Sequence, residues 1–265
     1  MMKYCFKILI FTLCIMSFTN CKEEKKDNKL PDTTKEWIQL FNGENLNDWI
    51  VKIKGYPLNE NVNNTFRVDN GVLKVSYDDY ENFNDTYGHI FYKKSFSNYK
   101  LRLQYRFIGD QVKGGAGWAE KNSGVMIHSQ SPESMEINQD FPVSIEVQLL
   151  GGIKDGELRP TANLCTPGTH IMMNGELVTT HCIDSSSKTY YDEQWVNLEV
   201  LVIQDSIITH KINGKEVLSY SKPQIGGEYN TMKERKGELL KEGYISLQSE
   251  SHPIEFRNIE LLELH

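Results

Sequence analysis

From Thr65 onward the chain alternates apolar and polar side chains in short segments separated by turn residues. In "YKLRLQYRFI", Leu101, Leu103, Tyr105 and Phe107 fall on one side and Arg102, Gln104 and Arg106 on the other. "SGVMIHSQ" sets Val125, Ile127 and Ser129 against Gly124, Met126, His128 and Gln130. "VSIEVQLL" sets Val143, Ile145, Val147 and Leu149 against Ser144, Glu146 and Gln148. A period of two is that of a strand with one apolar face. "TFRVDNGVLKVSY", "WVNLEVLVI", "IITHKINGKEVLSY" and "GYISLQSE" read the same way. Asp69-Asn70-Gly71, Asn174-Gly175 and Asn213-Gly214 supply turns, the last two as pairs that accept the positive φ of tight hairpins. With no long helical period and no βαβ rhythm, the pattern predicts an all-β antiparallel sandwich. Three loops of unusual composition, 78–88, 109–122 and 221–240, are expected to rim a groove.

The N-terminus follows other rules. Lys3 and Lys7 precede a mostly apolar run from Ile8 to Phe18, too short to span a bilayer, so residues 1–20 read as a signal peptide. Cys21 follows directly and resembles the lipidated cysteine of a bacterial lipobox, although Thr19-Asn20 departs from the usual small pair. Residues 21–35 carry almost no apolar side chain and are expected to form a tether; "CKEE" resembles the acidic surface-export signal of Bacteroidota lipoproteins. Residues 36–265 then form a single domain. The expected location is the outer membrane, facing the periplasm or the cell exterior, with membrane contact only through the lipid.

The formal charge is −7, and removal of Lys3 and Lys7 with the signal makes it −9, which argues against nucleic acid as a partner. Cys5 and Cys14 leave with the signal and Cys21 is lipidated, so Cys165 and Cys182 remain in a disulfide-permissive compartment and are expected to pair. A two-residue turn at Asn174-Gly175 places Met173 opposite Glu176, positions summing to 349, whereas the cysteines sum to 347. They are near partners, and Pro167-Gly168 offers a bend to absorb the offset.

Taken together, "WIQLFNGENLNDWI", "FRVDNGVLKV", "NSGVMIHSQ", "SIEVQLLGG", "PGTH", "TTHC", "SSSKTYYDEQW", "INGKEVLSY" and "GYISLQSESHPIEFRNIELLEL" resemble the 3-keto-disaccharide hydrolase family, from about Trp37 to the C-terminus. The resemblance implies a concanavalin A-like jelly roll and action on a small carbohydrate, a glycoside already oxidised to a ketone at C3. Gln104 stands where the family leads one to expect Glu, and Glu250 where many members have His.

A ketone at C3 acidifies the C2 proton, so one base can start an elimination that expels the group at C1, after which water adds back. This route needs a base, a proton donor and strong donors beside the enolate oxygen, not the paired carboxylates of an ordinary glycosidase. Glu146 is the candidate base, with Gln148 sharing its face; Gln148 and Leu150 stand where a laminarinase-like strand would offer a second carboxylate. His128 is the candidate proton shuttle, expected to face Glu146 across the sheet. Arg106 is placed beside the enolate or on sugar hydroxyls, with a surface salt bridge as the alternative. Gln248 and Glu250 oppose Ile245 and Leu247; Glu250 is a second acid or a metal ligand. Whether a divalent metal takes part is open, as no compact ligand motif is present. His170 and His181 flank the expected disulfide and read as its support. A glycan-binding module and a conventional laminarinase-like hydrolase compete with this reading. A binding module should line its groove with aromatic platforms, whereas Trp118, Tyr80 and Tyr87 fall in loops.

Overall fold

The computed structural model describes residues 36–264; the signal segment, Cys21 and the tether lie outside them. In chain order the strands are β1 (Ile38–Gln39), β2 (Trp49–Ile53), β3 (Phe66–Asp69), β4 (Val72–Val75), β5 (Gly88–Tyr92), β6 (Asn98–Phe107), β7 (Asn122–Ser129), β8 (Ile145–Leu150) and β9 (Asn163–Cys165). There follow β10 (Thr169–Met173), β11 (Glu176–Val178), β12 (Cys182–Ile183), β13 (Val196–Ile203), β14 (Ile207–Ile212), β15 (Lys215–Ile225), β16 (Tyr244–Ser249) and β17 (Ile254–Glu263). Two antiparallel sheets pack as a jelly-roll sandwich. One runs β11-β10-β15-β14-β13-β6-β17-β4-β3, with β1 beside β17; the other runs β12-β9-β8-β7-β16-β5-β2.

The alternation expected from sequence builds the core between them. Tyr99, Leu101, Leu103, Tyr105 and Phe107 of β6 are buried, while Arg102, Gln104 and Arg106 point away. From the facing sheet, Val125, Ile127, Ile145, Val147, Leu149, Ile245 and Leu247 complete one apolar cluster. Removing one such Leu or Ile side chain costs about 2–5 kcal/mol.

The two sheets differ on their outer faces. β6 alternates buried and accessible residues, but all eight residues of β7 are buried, the polar Asn122, Ser123, His128 and Ser129 among them. The seven-stranded sheet is covered on both sides: by its partner sheet and by long loops. One loop, the β7–β8 connection, is held by Gln130, whose Oε1 accepts from Val143 N at 2.7 Å and Gln139 Nε2 at 2.9 Å. Its middle is held by Lys52, whose Nζ donates to Ile137 O at 3.1 Å.

The hairpin at Asn174-Gly175 forms with Met173 opposite Glu176. Cys165 and Cys182 are disulfide-bonded and stand directly opposite each other. The expected two-residue offset is absorbed where the chain leaves one sheet for the other, at Pro167-Gly168, with Gly168 at φ +69°.

Candidate active site

A cavity of about 280 Å³ opens on the covered face of the seven-stranded sheet, lined by Glu146, Gln148, Asn122, Glu250 and the Cys165–Cys182 bridge. Phe141, Tyr229 and Trp118 contribute its aromatic walls. Glu146 comes from β8, where alternation turns it away from Ile145 and Val147. Its neighbour across β7 is Met126, but its carboxylate leans over Gly124. A Cβ at residue 124 would lie 2.5 Å from Glu146 Oε1, so only glycine leaves room for the side chain to lie flat across the strand.

Glu250 follows β16 and is 3 % exposed, with Oε2 meeting no protein partner. Burial pushes both carboxyls above the usual carboxylate range. For Glu250 the nearby Glu146 charge adds to this, and Arg159 partly opposes it. Two such groups cannot both ionise cheaply, so the pair suits one base and one proton donor. Arg159 lies in the loop after β8 and donates to Gly151 O at 2.6 Å, Lys121 O at 3.1 Å and Trp118 O at 3.3 Å. It ties together the two loops that form this end of the cavity. Across the cavity Phe141 and Tyr229 meet edge-on at 5.4 Å, and His181 lies 5.5 Å from the Tyr229 ring.

Among the described residues no group of three His, Cys, Asp or Glu side chains is arranged to hold a metal ion. A family model, the 3-keto-alpha-glucoside-1,2-lyase-like domain, matches residues 36–262. The chain belongs to this family. Its fold is shared by a Parabacteroides distasonis protein provisionally classed as a glycosyl hydrolase, 19 % identical with a TM-score of 0.52, covering 86 % of this chain and 100 % of that one. A second such P. distasonis protein is 17 % identical with a TM-score of 0.48, covering 86 % and 94 %. A Bacillus subtilis protein with a galectin-like fold is 10 % identical with a TM-score of 0.47, covering 86 % and 94 %. At these identities the likeness concerns fold alone. No curated protein matches the chain.

In this 3-keto-glucoside lyase-like domain, the cavity brings together Glu146, Gln148 and Glu250 of the residues singled out from sequence. His128 is not with them. It adopts a left-handed φ of +48° at a bulge between β7 and β16, which breaks the alternation, and its Nε2 lies 3.0 Å from Gln204 O. Arg106 lies on the other sheet, ion-paired with Glu255 at 2.7 Å and stacked 4.6 Å from the Trp195 ring. Alternation had given its face correctly but could not say which sheet, so the alternative of a cross-strand salt bridge holds. Gln248 lies on the covered face beside the Glu146 wall and is fully buried. His181, read as support for the disulfide, lines the cavity as well.

Sequence reasoning missed Asn122, Arg159 and His89. Asn122 reads from sequence as the last residue of loop 109–122, whereas it opens β7 and is buried. Arg159 sits in a loop with no period to read, and "GHIFY", which carries His89, is too short to separate from the loop before it.

Proposed function

We propose that the protein cleaves glycosides whose C3 hydroxyl has been oxidised to a ketone, with Glu146 as the base and Glu250 as the proton donor. The observation that carries this reading is the pair of buried carboxyls in one cavity, both biased toward the protonated form, so that one can hold a proton while the other is free to take one. Family membership supports the oxidised substrate. Glu146 takes the C2 proton, the C2–H pair forms C2=C3, and the ketone becomes an enolate. As the C3 carbonyl re-forms, C1=C2 is made and the C1–O bond breaks toward the leaving oxygen, which takes its proton from Glu250. Water then adds across C1=C2, hydroxyl to C1 and proton to C2, and the net change is hydrolysis.

Two carboxylates in one cavity also suit a conventional laminarinase-like hydrolase, which would act on the unoxidised sugar. Incubation with a 3-keto-glucoside and with its parent, with and without chelator, separates the two. Aglycone should be released from the keto sugar alone, and Glu146→Gln should lower turnover by at least ~10²-fold while leaving the protein folded. Equal hydrolysis of the parent would reject the reading. If neither sugar is cleaved but both bind against Trp118, Phe141 and Tyr229, the protein is a glycan-binding module. A membrane anchor at lipidated Cys21, placing the domain at the outer membrane, is part of the same proposal. Its test is whether Cys21→Ser, with the signal still cleaved, leaves the membrane fraction.

A further inference from the structure

The elimination requires donors for the oxygen that becomes the enolate; Arg106 is out of reach, and Arg159 has most of its donors engaged elsewhere. Arg106 is on the opposite sheet, and the Arg159 guanidinium already donates to three backbone carbonyls. A row of side chains across the seven-stranded sheet does offer such donors. Lys52 of β2 stands opposite His89 of β5, and His89 opposite Gln248 of β16. Ser246 and Leu247 pair with Met126 and Val125, so the register, continued by one residue, puts Gln248 beside Gly124. On the far side, Gly124 stands opposite Gln148. The carboxylate of Glu146 therefore lies over the glycine that borders Gln248.

Gln248 is 0 % exposed and His89 1 %, yet Gln248 Nε2, Gln248 Oε1 and His89 Nε2 meet no protein partner. Buried polar groups are almost always paired, so three orphaned atoms in one row call for a partner from outside the protein, a ligand or ordered water. Phe141, which lines the cavity, meets the His89 ring edge-on at 6.3 Å, so the row runs up to the cavity wall. The two unpartnered side chains of the row, Gln248 and His89, carry no charge of their own. Lys52 donates to Ile53 O, Tyr56 O and Ile137 O, and burial, aided by Lys52, keeps the imidazole neutral. Neutral donors of this kind suit a ketone better than a carboxylate or phosphate.

We propose that Gln248 and His89 form a donor pair that holds the C3 carbonyl oxygen of the substrate and the enolate oxygen that develops from it. The inference rests on the proposed function and assigns the part of that chemistry left without a residue. C2 and C3 are bonded neighbours, so base and donor must also be neighbours, as Glu146 and Gln248 are across Gly124. Hydrogen bonds from fixed donors strengthen as the oxygen gains charge, which lowers the barrier more than it tightens binding.

The test follows exchange of the C2 proton of a 3-keto-glucoside in D₂O by NMR, alongside aglycone release. Gln248→Met keeps length and removes the amide; His89→Phe keeps the ring and removes both nitrogens. Each should slow exchange and kcat by about 10²-fold or more with KM changed less than about threefold. A second measurement does not depend on how these variants fold. The infrared C=O stretch of the keto sugar bound to Glu146→Gln should fall below its value in water. If exchange and kcat stay within threefold of wild type, or the carbonyl stretch does not move, the donor pair is wrong while the proposed function stands. Equal loss of binding for keto and parent sugars would make the row a structural support and also overturn it. A wild type that neither exchanges nor cleaves overturns both readings.

Discussion

The residues at the centre of the cavity are held in states that do not favour the fold. Glu146 and Glu250 have carboxyls raised by burial above their ordinary range. A group raised in the folded state contributes its full stability below the unfolded value and loses it as pH climbs through the folded one. Stability should therefore fall between weakly acidic and mildly alkaline pH. Glu250→Gln should remove part of that fall, raising the melting temperature at pH 8 and leaving it unchanged near pH 4; each 1 kcal/mol recovered is worth about 2–4 °C for a domain of this size. A lower melting temperature at pH 8 would mean that the carboxylate is paired and not strained. The same substitution removes the proposed proton donor, so its kinetic cost should depend on the leaving group. Release of a sugar, a poor leaving group, should slow by about 10²-fold or more. Release of 4-nitrophenol, which departs without help, should slow much less, and equal slowing would remove Glu250 from that role.

Among the elements, β7 shows both what alternation can say and where it stops. Val125 and Ile127 enter the core as their spacing implies, and Gly124 and Met126 turn to the covered face. The bulge at His128 reverses the pattern after six residues, and nothing in "SGVMIHSQ" announces it. Alternation likewise separated Glu146 from its apolar neighbours but could not reveal that its outward face lies under loops, while that of Arg106 is on the solvent side of another sheet. Burial of the second face is a property of loop packing, which has no period. The consequence for β7 is specific: Gly124→Ala should displace the Glu146 carboxylate and lower turnover at least tenfold, with little change in secondary structure by circular dichroism. Unaltered turnover would show that Glu146 works from another rotamer. The disulfide belongs to this scale too. Cys165 pairs with Glu146 on one side and Cys182 on the other, and closing a loop over a separation of 17 residues contributes about 3 kcal/mol in the chain-entropy account. Replacing both cysteines by Ser should lower the melting temperature by roughly 6–12 °C.

At the scale of the whole molecule, the two sheets divide the work. The outer face of the ten-stranded sheet carries cross-strand pairs, Arg102 with Glu260 and Arg106 with Glu255, and Trp195 between Arg106 and Arg257. Such pairs, each with its arginine still partly open to solvent, are side-chain contacts of the sheet surface and line no part of the cavity. Arg106→Ala should therefore leave kcat within about twofold of wild type; a large loss would reopen that face as a second site. The other sheet gathers Asn122, His89, Ser246, Gln248 and Glu250, each buried with at least one polar atom that no protein group meets. Such a surface makes the folded protein a detector of its own ligand. A sugar that satisfies those atoms binds only the native state, and at a concentration a hundredfold above Kd it would add about 2.7 kcal/mol to unfolding. Melting curves over a panel of oxidised and unoxidised glycosides could thus rank candidate substrates without a product ever being measured. Glu146→Gln, unable to consume what it holds, would be the form of the protein to use.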